Sequence, residues 1–87
     1  MKKKLIKKRK NILSTVMDGE VCLFNPDNAE YINLNKTGSF IWNLLDRDIT
    51  LQQILEETMA KYKVEKEICE KEIVIFIDNL SKNKLIN

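Results

Sequence analysis

AEYINLNKTGSFIWNLLD, residues 29–46, begins as a strand and ends as a helix. Tyr31, Ile32 and Leu34 are aromatic, β-branched or apolar, and Glu30 and Asn33 supply the polar alternation of a half-buried strand. Asn35 then stands as an N-cap ahead of Lys36, and Phe40, Ile41, Leu44 and Leu45 recur at three- and four-residue spacing. Trp42 adds the largest apolar surface in the chain. Strand and helix meet with almost no loop, so the strand's direction sets the angle at which the helix docks. Everything else is expected to pack against this joint.

Upstream, Ile12, Leu13, Val16 and Met17 suggest a first strand, and Glu20 to Phe24 a second. Asp18-Gly19 between them is a strong hairpin signal. Asn25-Pro26-Asp27-Asn28 is a second turn, with residue types suited to its central positions. Three strands joined by tight turns form an antiparallel meander, which persists if one face is covered. Downstream, Thr50 caps a helix over LQQILEETMAKY, with Gln53 completing a capping box. Leu51, Ile54, Leu55, Thr58 and Met59 share its inner face. A third helix is predicted over about residues 65–82, with Cys69, Ile73, Phe76, Ile77 and Leu80 as its core stripe. Lys84-Leu85-Ile86 is expected to tuck back onto the body.

The chain's 87 residues, 44% hydrophobic and 32% charged, suit one small domain with a single core. There is no histidine, and the two cysteines, Cys22 and Cys69, have no metal-ligand spacing. Both read as buried reduced thiols. Charge is uneven. Residues 2–10 hold seven basic groups, and the remainder carries 8 basic against 13 acidic, a net of −5. Residues 1–10 therefore read as a basic flexible tail and residues 11–87 as the folded domain. No apolar run follows the basic stretch as in a signal peptide, and none is long enough to span a membrane. A cytoplasmic location is expected.

These parts make an α+β, winged helix-turn-helix-like fold: a three-stranded antiparallel sheet followed by three helices. The series Tyr31-x-x-Leu34-Asn35, Gly38, Ile41-Trp42-x-Leu44-Leu45, Ile49-Thr50, Tyr62-x-Val64, Ile73-x-x-Phe76-Ile77-x-x-Leu80 and Leu85-Ile86 resembles the PqqD family. The resemblance covers residues 18–86. It implies a recognition element for the leader of a ribosomally synthesised, post-translationally modified peptide (a RiPP). Tyr31 and Gly38 resemble the discrete leader-binding proteins of lasso-peptide clusters.

The family binds the leader as an added strand on the third strand's free edge, beside the third helix. Unpaired N–H and C=O groups there give affinity, and pockets under alternate side chains give selectivity. Carried over, the site is Ala29, Glu30, Tyr31, Ile32, Asn33 and Leu34 with Ile68, Lys71, Glu72 and Ile75. Tyr31 is the exposed contact, while Ile32 and Leu34 hold the core. Tyr31 and Asn33 compete for the outward N–H. Ile68, Ile75, Glu72 and Asn79 share one flank of the third helix, and Val74 is the exposed apolar residue of the other. Sequence does not choose which flank faces the strand. The implied partners are the precursor peptide and a separate modifying enzyme, such as a radical-SAM protein or a leader peptidase. The protein would be a monomer or an edge-paired dimer, with no cofactor or metal.

A winged-helix DNA-binding regulator is the alternative, since the architecture is similar. Charge argues against it. The third helix carries Glu65, Glu67, Glu70, Glu72 and Asp78 against Lys66, Lys71 and Lys82, the reverse of what phosphate contact needs. An enzyme is a weaker alternative still, without histidine, a Gly-rich phosphate loop or a ligand cluster.

Overall fold

The computed structural model describes residues 4–87, so Lys2 and Lys3 lie outside the described residues. The elements in chain order are β1 (Leu5–Ile6), β2 (Leu13–Met17), β3 (Glu20–Asn25), β4 (Glu30–Asn33), α1 (Lys36–Leu44), β5 (Ile49–Thr50), α2 (Leu51–Lys61) and α3 (Lys66–Lys82). The expected sheet forms in the order β2-β3-β4, antiparallel throughout, with three helices after it. Asp18 and Gly19 close the first hairpin with φ of 52° and 80°. Positive φ at both central residues is the type I′ geometry whose twist matches the strands it joins.

The second turn is held by its own side chains. The Asp27 N–H donates to Asn25 Oδ1 at 3.0 Å and the Glu30 N–H to Asn28 Oδ1 at 3.1 Å. Ala29 sits at φ 57°. It therefore ends the turn in a left-handed conformation, and the strand starts at Glu30 rather than at Ala29. An L-residue there costs energy that glycine would not.

At the strand-to-helix joint the ladder is carried on by a side chain. The Leu34 N–H donates to the Val21 carbonyl at 2.8 Å. The return bond is replaced by Ser39, whose Oγ accepts from the Val21 N–H at 2.8 Å and donates to the Leu34 carbonyl at 3.3 Å. Ser39 is buried, so its hydroxyl satisfies two backbone groups out of reach of water. One residue earlier in the helix, Gly38 donates its N–H to the Asn35 cap at 2.8 Å. A Cβ at Gly38 would stand 3.0 Å from the Phe76 ring, so glycine lets α3 close onto the first turn of α1.

Thr50 and Gln53 form the expected capping box. At the other end of the helical layer, Lys84 has φ 58°, the Lys84 N–H donates to the Ser81 carbonyl and the Leu85 N–H to the Leu80 carbonyl. That is a Schellman cap, and it turns Leu85 back toward Leu80. Trp42 and Leu80 are buried in one core with Leu23, Ile54 and Ile73, while Phe76 is partly covered. Leu51, expected on the inner face of α2, is partly exposed at its first turn.

Residues 5–9 differ from the expected flexible tail. Leu5–Ile6 pairs antiparallel with β5, and Ile6 is buried. The Arg9 N–H donates to the Leu85 carbonyl and the Asn87 N–H to the Lys7 carbonyl, each at 3.0 Å. The basic side chains find the acidic body: Lys7 lies 3.7 Å from Asp48, and Lys8 pairs with Asp46 while its Nζ sits 4.5 Å from the centre of the Trp42 ring. This segment ties the α1–α2 connection to the C-terminus.

Candidate functional site

β4 is an edge strand: among the described residues it pairs with β3 on one side and with nothing on the other. Its phase follows from the joint. Leu34 directs its N–H inward to Val21. In an antiparallel ladder such residues alternate, so Ile32 and Glu30 also face β3, opposite Leu23 and Asn25. Tyr31 and Asn33 therefore both turn N–H and C=O to the open edge. The sequence posed them as competitors, but two residues apart they share one phase.

The side chains divide as expected. Ile32 is half-buried and Leu34 buried, whereas Tyr31 is 73% exposed. The Tyr31 ring leans on Phe24 across the sheet, centroids 4.6 Å apart, which holds it upright on the outer face. Glu30 and Asn33 are exposed, and Ala29 stands in the turn, off the strand's line.

Two contacts bear on how α3 lies relative to β4. Glu72 and Phe76 line a cleft with Asn35 and Gly38, immediately beyond the end of β4. At the far end of the helix, the Asn83 carbonyl accepts from Asn25 Nδ2 at 3.5 Å, beside the start of β4. From Phe76 to Asn83 the helix therefore runs antiparallel to the direction of β4. Val74 instead faces Leu51, Ile6 and Ile86, on the side of β1. By helical geometry Asn79 joins the Glu72–Phe76 flank, with Ile68 and Ile75 one step further round toward the outer crest. Both isoleucines are more than half exposed. Lys71 lies on that crest, beside Glu67, Ile68 and Glu70, and the structure does not bring it toward the strand.

The cleft between α1, the end of α2 and α3 measures ≈ 280 Å³ and was not foreseen from sequence. Its apolar lining includes Ile41, Tyr62 and Cys69. No local pattern marks it, because its walls come from three helices. Burial, and secondarily the Glu72 carboxylate, push the Cys69 thiol above its ordinary range, as for an inert buried cysteine. Cys22 is half-buried on the outer sheet face rather than in the core. Among the described residues there is no group of three or more metal-ligating side chains, and no helix long and apolar enough to cross a membrane.

Residues 20–86 match the family described as coenzyme PQQ synthesis protein D, PqqD. Among curated proteins no sequence matches the chain. The solved structure of TbiB1 in complex with the TbiA(beta) leader peptide is similar at a TM-score of 0.87 and 27% identity, covering 93% of this chain and 94% of that one. A lasso peptide synthetase B1 complexed with the leader peptide has a TM-score of 0.84 and 22% identity, covering 94% of this chain and 96% of that one. The PqqD part of Methylobacterium extorquens PqqCD, described as a stand-alone RiPP recognition element, has a TM-score of 0.77 and 15% identity, covering 95% and 88%. The last two likenesses establish the shared fold.

Proposed function

The chain belongs to the PqqD family, and from that premise we propose that it is a non-catalytic recognition element for the leader of a ribosomally synthesised precursor peptide. The observation that carries the reading is the open β4 edge. Tyr31 and Asn33 offer outward donors and acceptors along a strand flanked by α3, the form of site that takes an extended peptide by strand addition. The similar TbiB1 structure holds a leader peptide, which supports the same role here.

In this reading Tyr31 and Ile75 give apolar contact on either side of the added strand, with Glu72 and Asn79 at the helix flank. Lys71 and Ala29 contribute least. The domain holds its peptide near a separate modifying enzyme, a radical-SAM protein or a leader peptidase, and acts by raising effective concentration. The likeness to a lasso peptide synthetase B1 complexed with a leader peptide favours a lasso precursor and hence a leader peptidase. DNA binding is disfavoured by the exposed Glu67, Glu70, Glu72 and Asp78 on α3, the helix a winged helix would use.

The test is calorimetric titration with the leader of a precursor encoded beside this chain. Tyr31→Pro and Asn33→Pro each remove an outward donor and leave the inward ladder intact, so each should abolish binding while circular dichroism stays native. Asn33→Ala keeps the donor and should bind within a few-fold of the parent. Two folded proline variants that bind normally would rule out pairing on β4.

A further inference from the structure

The other edge of the sheet lacks the protection that edge strands normally carry. β2 is five residues long, Leu-Ser-Thr-Val-Met, with no charge and no proline. Its register with β3 runs unbroken from Leu13↔Phe24 to Met17↔Glu20, without a bulge. All five residues are exposed, Leu13 at 59%, Val16 at 65% and Met17 at 66%. Edges of this kind recruit another strand. The two-residue turn makes Met17 and Glu20 a hydrogen-bonded pair, so Ser14 and Val16 point their N–H and C=O groups outward.

We propose that β2 pairs antiparallel with β2 of a second copy of this chain, forming a continuous sheet and leaving both β4 edges open. A two-fold axis at Thr15 sets each Ser14 opposite Val16 of the second copy, and these residues exchange backbone hydrogen bonds. Leu13 then lies against Met17 of the second copy on the outer face, beside Phe24. Charge fits the same arrangement. The acidic hairpin tip, Asp18 and Glu20, falls near Lys10 of the second copy, whereas parallel pairing would set tip against tip. One short strand from each copy makes a small interface, so dissociation is expected at about 10 μM to 1 mM.

The test is sedimentation velocity on the full chain over a concentration series that spans this range. The expected result is a shift from one chain toward two as concentration rises. Val16→Pro removes an outward donor and Val16→Lys places a charge on the edge; both should remain single chains with native circular dichroism. Tyr31→Pro should dimerise as the parent does. A single-chain mass at every concentration overturns the proposal. So does a dimer that survives either folded Val16 variant, or one that Tyr31→Pro abolishes.

Discussion

β2 and β4 border the same three-stranded sheet and expose similar backbone groups, yet they stand in different surroundings. Beyond the end of β4 the first turn of α1 packs on α3, and Asn25, opposite the start of β4, contacts Asn83. In the proposed complex a strand added to β4 meets a helix flank as well as a ladder, so side chains can discriminate between sequences. On β2 all five residues are exposed, Leu13, Val16 and Met17 among them. A strand added to β2 finds hydrogen bonds, a little apolar surface and the charges beside the hairpin tip, with no helix flank. The two proposed pairings therefore differ in what lies beside each strand.

The largest effect should come from a residue on which both edges depend. Trp42 is 2% exposed and packs in the common core, so Trp42→Ala should cost about 3–5 kcal/mol. On a domain of roughly 5–8 kcal/mol that change abolishes the cooperative melt and both edges with it. A variant melting cooperatively near the parent temperature would show that the ring is not structural.

Ser39 distinguishes the edges. Ser39→Ala orphans the Val21 N–H and the Leu34 carbonyl, for about 2–3 kcal/mol in urea unfolding. It should also weaken leader binding, since the end of β4 is anchored there. Concentration-dependent pairing through β2 should change far less.

On the helix, the comparison sharpens to neighbouring residues. Ile75→Glu should lower leader affinity by about 1–3 kcal/mol by placing an unpaired charge at an apolar contact. Val74→Glu, on the β1 side, should leave affinity unchanged. Equal losses would mean that the peptide does not follow the Glu72–Phe76 flank.

Smaller effects are expected at the strained turn residue and at the cysteines. Ala29→Gly relieves the left-handed φ and should raise stability by about 0.5–1 kcal/mol without altering leader binding. For Cys69 the folded pKa lies above the unfolded one. Its contribution is therefore full below about pH 8.5, the ordinary thiol value, and is lost as pH rises through the folded pKa. Urea titrations on either side of that value should show stability falling, with the fall reduced in Cys69→Ala. Iodoacetamide at neutral pH should label Cys22 before Cys69.

Much of the fold could be read from the chain because its signals are local. The Asp18-Gly19 hairpin, the Asn35 cap and the Thr50–Gln53 box each act over a few residues, and the helix stripes repeat every three or four. Together with the ordered series from Tyr31 to Ile86, they indicated the fold and the family. The open strand was legible within one residue: Ala29 was included because composition does not reveal a left-handed φ. Three features needed the tertiary structure. The docking of residues 5–9 rests on pairings with β5 and the C-terminus, and on Lys8 meeting Asp46 and Trp42, contacts between segments far apart in sequence. The side of α3 that meets α1 depends on how the helix rolls, which the close approach of Phe76 to Gly38 sets. The outward phase of Tyr31 and Asn33 depends on a single bond, Leu34 to Val21. Periodicity shows which faces are apolar. Only packing between distant elements decides which neighbour each face meets.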